Sequence, residues 1–134
     1  MKCILTILMG LAVLFVISSC ATTEPLHEGE LRLLKMQVPE YGNLILGHPY
    51  KFNIIFESDG SAEIIRAVCT CADTAPRAYQ AENVTYGSQG GNFNVYFGAC
   101  TTDSQRMVCF VDYMSAGKKR RSNSVSCLIY GIGR

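Results

Sequence analysis

The 134-residue chain has no tryptophan, two histidines and four prolines, and charged residues make up only 17% of it. Each scarcity excludes something. Without tryptophan, the Cys…Trp…Cys signature of true antibody domains is missing. His27 and His48 stand alone, one in a polar segment and one beside Pro49, so no spaced His pair exists to complete a zinc site of four ligands. A net charge of +1 excludes nucleic-acid binding driven by overall charge. Sparse charge combined with 49% hydrophobic residues excludes disorder as the main state. Past residue 20 no apolar run approaches the ~20 residues that span a bilayer, which excludes a polytopic membrane protein. Gly-x-Ser-x-Gly is also absent, and Gly87–Gly91 separates two predicted strands rather than a strand and a helix, so it is not a phosphate loop. The length allows one domain.

The N-terminus is an export signal. Lys2 precedes an apolar run from Ile4 to Ile17 that is broken only by Thr6 and Gly10. As a helix this run would be about 21 Å long, short of a ~30 Å hydrocarbon core. It reads as a secretory h-region and stands outside the fold. Ile17-Ser18-Ser19-Cys20 follows: an aliphatic residue, two small residues, then cysteine. This segment resembles the lipobox of bacterial lipoproteins. The resemblance covers residues 1–20 only. It implies that the signal 1–19 is removed, that Cys20 becomes the lipidated N-terminus, and that the protein is lipid-anchored in the bacterial cell envelope. With Ala21 rather than Asp after the cysteine, it implies the outer membrane, facing the periplasm. Loss of residues 1–19 removes only Lys2, so 11 basic residues then face 11 acidic ones.

Residues 20–30 are polar and carry Pro25 and Gly29, the composition of a tether. From 31 to 134 the pattern is that of strands. Tyr50, Phe52, Ile54 and Phe56 alternate with polar neighbours, as in a half-buried strand. Asp59-Gly60 signals a hairpin into a strand over 62–71. Strands are also predicted over 79–86 and 92–99, and a final pair over 106–114 and 122–132. Leu31–Val38 allows either strand or short helix. Seven or eight short strands of this kind predict an all-β domain: an immunoglobulin-like or fibronectin-like antiparallel β-sandwich, with a small β-barrel as the alternative.

Besides Cys3 in the signal and Cys20, five cysteines remain: Cys69, Cys71, Cys100, Cys109 and Cys127. An exported chain meets oxidising conditions in which disulfides persist, and an odd number leaves at least one unpaired. A last hairpin centred on Lys118 would set Cys109 opposite Cys127, Val111 opposite Val125 and Met107 opposite Ile129, which favours a Cys109–Cys127 bridge. A Cys69–Cys109 link across the sandwich competes with it, and Cys71–Cys100 is a second pairing. Cys69-Thr70-Cys71 places two thiols on one face of a strand, which raises an alternative thiol or metal-binding function.

Lys118-Lys119-Arg120-Arg121 is the densest charge cluster, at the expected tip of that hairpin. Without it the mature chain would carry seven basic residues against 11 acidic ones. These four residues are the candidate contact with an anionic surface or a partner, although like charges at a turn also discourage edge pairing. Glu57, Asp59, Asp73 and Asp103 fall at strand ends or turns, where acids are common. Asp112 lies within an apolar run, but its neighbours Val111 and Tyr113 point the other way, so it is expected to face solvent. The seven tyrosines suit half-buried strand positions. These features predict no enzyme, no cofactor and no metal. They predict a non-catalytic, lipid-anchored envelope module that binds a protein, an anionic glycolipid or another envelope component, or serves as an accessory subunit. A small periplasmic enzyme inhibitor is a further alternative by class analogy.

Overall fold

The computed structural model describes residues 24–39, 43–71 and 74–133. The signal 1–19, Cys20 and residues 21–23 of the tether lie outside the described residues, as do Tyr41 and Asp73. All regular structure among the described residues is strand. In chain order the strands are β1 (Leu31–Gln37), β2 (Asn43–Ile45), β3 (Tyr50–Ser58), β4 (Glu63–Cys71) and β5 (Arg77–Tyr79). They continue with β6 (Glu82–Tyr86), β7 (Gly90–Phe97), β8 (Ser104–Ser115), β9 (Lys118–Arg121) and β10 (Val125–Ile132). One sheet has the order β1-β3-β7-β6. The other runs β2-β10-β8-β4-β5, with β9 also paired to β8. Among the described residues only β2 and β10 pair in parallel. The all-β expectation holds, as two sheets packed face to face.

The period-2 alternation of the strands builds the core. Phe52, Ile54 and Phe56 of β3 and Phe93, Val95 and Phe97 of β7 point inward from the four-stranded sheet. Ala67, Cys69 and Cys71 of β4 meet them from the other side, with Met107, Cys109, Val111 and Tyr113 of β8. Phe52 and Phe97 stack with ring centroids 4.1 Å apart. Each fully buried aromatic of this kind contributes about 1.5–3 kcal/mol through removal from water.

Two sequence expectations are corrected here. Asp59-Gly60 does turn the chain, with Gly60 at φ 88°. It does not close a hairpin, because β3 pairs with β1 and β7 while β4 pairs with β8 and β5. The turn carries the chain from one sheet to the other, so the apolar faces of β3 and β4 meet across the core rather than edge to edge. The predicted strand 79–86 is two strands in different sheets, β5 ending at Tyr79 and β6 beginning at Glu82. The ambiguous stretch from Leu31 is a strand, and its β-bulge between Leu33 and Lys35 obscures the alternation.

Asn123, between β9 and β10, ties the two sheets together. Its Nδ2 donates to the Leu33 carbonyl at 2.9 Å and its Oδ1 accepts from the Leu33 N–H at 2.8 Å. The amide thus completes the free edge of β1 as a strand would. Asn123→Ala strands both groups of the buried Leu33 and should cost about 1–3 kcal/mol. Urea denaturation of the variant beside the wild type measures this directly.

Candidate functional site

The last hairpin decides where the cysteines and the cations go. Its tip is Ala116-Gly117, both at positive φ (50° and 72°), as a two-residue I′-type turn requires. It is not centred on Lys118 as the sequence suggested. Ser115 pairs with Lys118 and Asp112 with Arg121. An irregular stretch at 122–124 then shifts the register, so that Cys109 faces Val125 and Cys127 faces Met107. The Cys109–Cys127 bridge is therefore not formed. Each β8 residue from Ser104 to Cys109 meets a partner two positions away from the expected one, and each from Asp112 to Ser115 a partner three positions away.

Cys109 bonds instead to Cys69, directly opposite it on β4, with the two Cα atoms 4.2 Å apart. This link lies within one sheet, between neighbouring strands, and not across the sandwich. Cys71 bonds to Cys100, with a Cα separation of 6.1 Å. Buried Gln105 holds the loop that carries Cys100. Its Oε1 accepts from the Cys100 N–H at 2.8 Å, and its Nε2 donates to the Thr101 and Asp103 carbonyls. Both thiols of Cys69-Thr70-Cys71 are thus consumed in disulfides, which removes the ligands that the thiol or metal alternative needed. Among the described residues no group of three His, Cys, Asp or Glu side chains could hold a metal ion. His48 lies edge-on to the Tyr50 ring, and His27 sits in the segment before β1.

Cys127 is the free cysteine among the described residues. Burial pushes its thiol up to about 11, so it is protonated at neutral pH and a poor nucleophile. Peptide mapping of the oxidised protein should recover the 69–109 and 71–100 pairs. Alkylation of the folded protein should label Cys127 slowly, and unfolding should accelerate labelling.

The four basic residues do not form a tip. They form β9, which leaves the tip, and alternate between its two faces. Arg120 reaches back to donate to the Glu28 carbonyl at 3.4 Å. Lys119 and Arg121 point outward from the six-stranded sheet, on the same face as Asp112. Asp112 faces outward as expected but does not meet solvent, being only 1% exposed. Arg66 of β4 and Arg121 of β9 are its direct cross-strand neighbours. The Arg66 Nε donates to Oδ2 at 2.9 Å and the Arg121 Nε to Oδ1 at 3.1 Å, with the Lys119 Nζ 3.7 Å from Oδ2. Burial pushes the Asp112 carboxyl up. The hydrogen bonds from both arginines, with the charges of Arg121 and Lys119, outweigh that and hold it below the usual carboxylate range. The Arg121 guanidinium also lies over the Phe110 ring, 4.2 Å from its centroid. Arg66 carried no sequence signal. The register of β4 against β8 brings it to Asp112.

Farther along the same face lies an apolar row. Leu128 and Tyr130 on β10 are 62% and 57% exposed, and Ile132 follows them beside Ile45 of β2. A cleft of about 600 Å³ opens at this end of the sandwich, lined by Leu46, Pro49, Arg77, Tyr79, Phe97 and Met107 and flanked by both disulfides.

At the opposite end, residues 24–30 are bound to the domain. The Asp59 Oδ2 accepts the Gly29 N–H at 2.8 Å. Arg32 donates to the Glu24 carbonyl at 2.7 Å and to the carboxylates of Glu30 and Glu57. Gly29 has φ 72°, and a side chain there would strike Ser115. The Ser61 hydroxyl, the Gly29 N–H and the Ser61 N–H hold Asp59 at about 2. A carboxylate depressed in this way supports the folded arrangement above its ordinary value near 3.8, and that support fades as pH falls toward 2. The protection factor of the Gly29 amide, its exchange measured against the intrinsic rate at the same pH, should therefore fall below pH ~4. Asp59→Asn should lower the same protection factor at neutral pH.

No protein-family model matches the chain, and no curated protein matches it.

Proposed function

We propose that the protein is a non-catalytic module of the bacterial cell envelope, anchored by lipid on Cys20, that binds another envelope component through the outer face of its six-stranded sheet. One observation carries this reading: that single face bears both a cationic cluster at Asp112 and the exposed row Leu128, Tyr130 and Ile132. An exposed apolar row on the same face as fixed charge is the composition of a contact surface. The finer, immunoglobulin-like reading of the fold is supported by strand order. Without the short strands β2, β5 and β9, the order is β1-β3-β7-β6 over β10-β8-β4. That corresponds to A-B-E-D over G-F-C.

The lipobox-like segment supports the anchor, and the docked residues 24–30 make it a short one. Only residues 21–23 separate Cys20 from Glu24, a reach of at most about 14 Å. Glu24–Glu30 bind beside the 59–61 turn and the 115–117 tip, so that end of the sandwich would face the leaflet. The apolar row, opposite the start of β8, would then stand away from the membrane.

Two measurements test this. Intact-mass analysis of protein from its native envelope should show a chain that begins at an acylated Cys20, and an unacylated residue 20 would overturn the anchor. A photocrosslinking side chain at position 130 should give envelope adducts well above one at Lys51, which is exposed on the opposite sheet. Equal yields would overturn the contact face.

A further inference from the structure

The cations around Asp112 are arranged more specifically than a solvated charge cluster needs. Each arginine spends only its Nε on Asp112. Among the described residues, no other hydrogen bond engages either guanidinium. The terminal Nη groups, which carry the remaining four of the five donors of each guanidinium, are left for another acceptor. The side chains of Arg66, Lys119 and Arg121 are 45%, 56% and 62% exposed, so those donors face outward. Their inner ends are held. A buried carboxylate grips Arg66 and Arg121 from below, and Phe110 lies under Arg121. Three cations against one carboxylate leave an excess of two positive charges. Glu63, opposite Met114 and one row nearer the tip, makes no ion pair with the cluster among the described residues.

We propose that Arg66, Lys119 and Arg121, oriented by Asp112, form a binding site for a phosphate monoester. The chemistry matches on two counts. A phosphate monoester is a tetrahedral dianion near neutral pH, and its charge equals the excess of the cluster. Its three terminal oxygens suit two arginine forks and one ammonium, whereas a single carboxylate fills only one fork. This deepens the contact-face reading given above, and it does not depend on the lipid anchor.

The test uses the full mature protein and two probes. Glycerol 3-phosphate is titrated with calorimetry and amide NMR. Vesicles of phosphatidylcholine, with and without phosphatidic acid, are tested by flotation. Saturable binding of glycerol 3-phosphate with shifts at Arg66, Asp112 and Arg121 is expected, with competition against the vesicles if the natural phosphate is a lipid headgroup. Without such competition but with saturable soluble binding, the site takes a free phosphate ester. Arg121→Lys keeps the charge and loses the fork, and should weaken binding about tenfold. Asp112→Asn raises the positive excess to three, so diffuse attraction would strengthen binding whereas loss of orientation weakens it. If Asp112→Asn lowers the folded fraction by circular dichroism, Arg121→Lys alone decides. Binding unchanged in Arg121→Lys, tighter binding in folded Asp112→Asn, or no response to either probe would overturn the site.

Discussion

The alternation of side chains along β8 is the constraint on which the rest of the molecule depends. Met107, Cys109, Val111 and Tyr113 point into the core. Asp112 points away from it, in the middle of the same strand. One pleat therefore supplies both the centre of the packed interior and the carboxylate around which the outer cations gather. β8 can do this because it is flanked on both sides, by β4 and by β9 with β10. Its neighbours bring Cys69 to the inner face and Arg66 and Arg121 to the outer one. A slip of one residue would exchange the two faces and expose the core.

Asp112 is withdrawn almost entirely from solvent. A carboxylate withdrawn from water is costly unless its charge is met. Here two direct hydrogen bonds and a third cation meet it, and the net effect favours the ionised form. The same arrangement leaves the outer ends of the arginines unsatisfied by protein. An isolated surface ion pair contributes ~1 kcal/mol or less and would not justify such an arrangement for stability.

The two disulfides and the docked N-terminal segment divide the sandwich lengthwise. The Cys71–Cys100 link and Gln105 organise the end that carries the cleft and the apolar row. Asp59, Gly29 and Arg32 organise the other end, where the described chain begins at Glu24. A long flexible tether would decouple the orientation of the domain from its attachment. A segment hydrogen-bonded to the domain up to Glu24 would couple the domain to the proposed anchor at Cys20 and give each end of the sandwich a definite side. The cationic cluster lies nearer the entry, and the apolar row is ~20 Å or more farther along the strand direction.

The sequence by itself determined the all-β class of the domain, because strand alternation is a local pattern. Tyr50–Phe56 and the outward direction of Asp112 were legible for that reason. The tertiary structure alone decided which residues meet. Cys109 went to Cys69 rather than Cys127 because Ala116 takes a left-handed conformation that its residue type does not announce, and because the register shifts again before Val125. Arg66 reached Asp112 through a bulge in β4 at Ile64–Arg66 that resets pairing with β8. Side-chain alternation depends on each residue and its immediate neighbours. Partner identity depends on turn conformation and bulges, whose effects add along the chain before any contact is made.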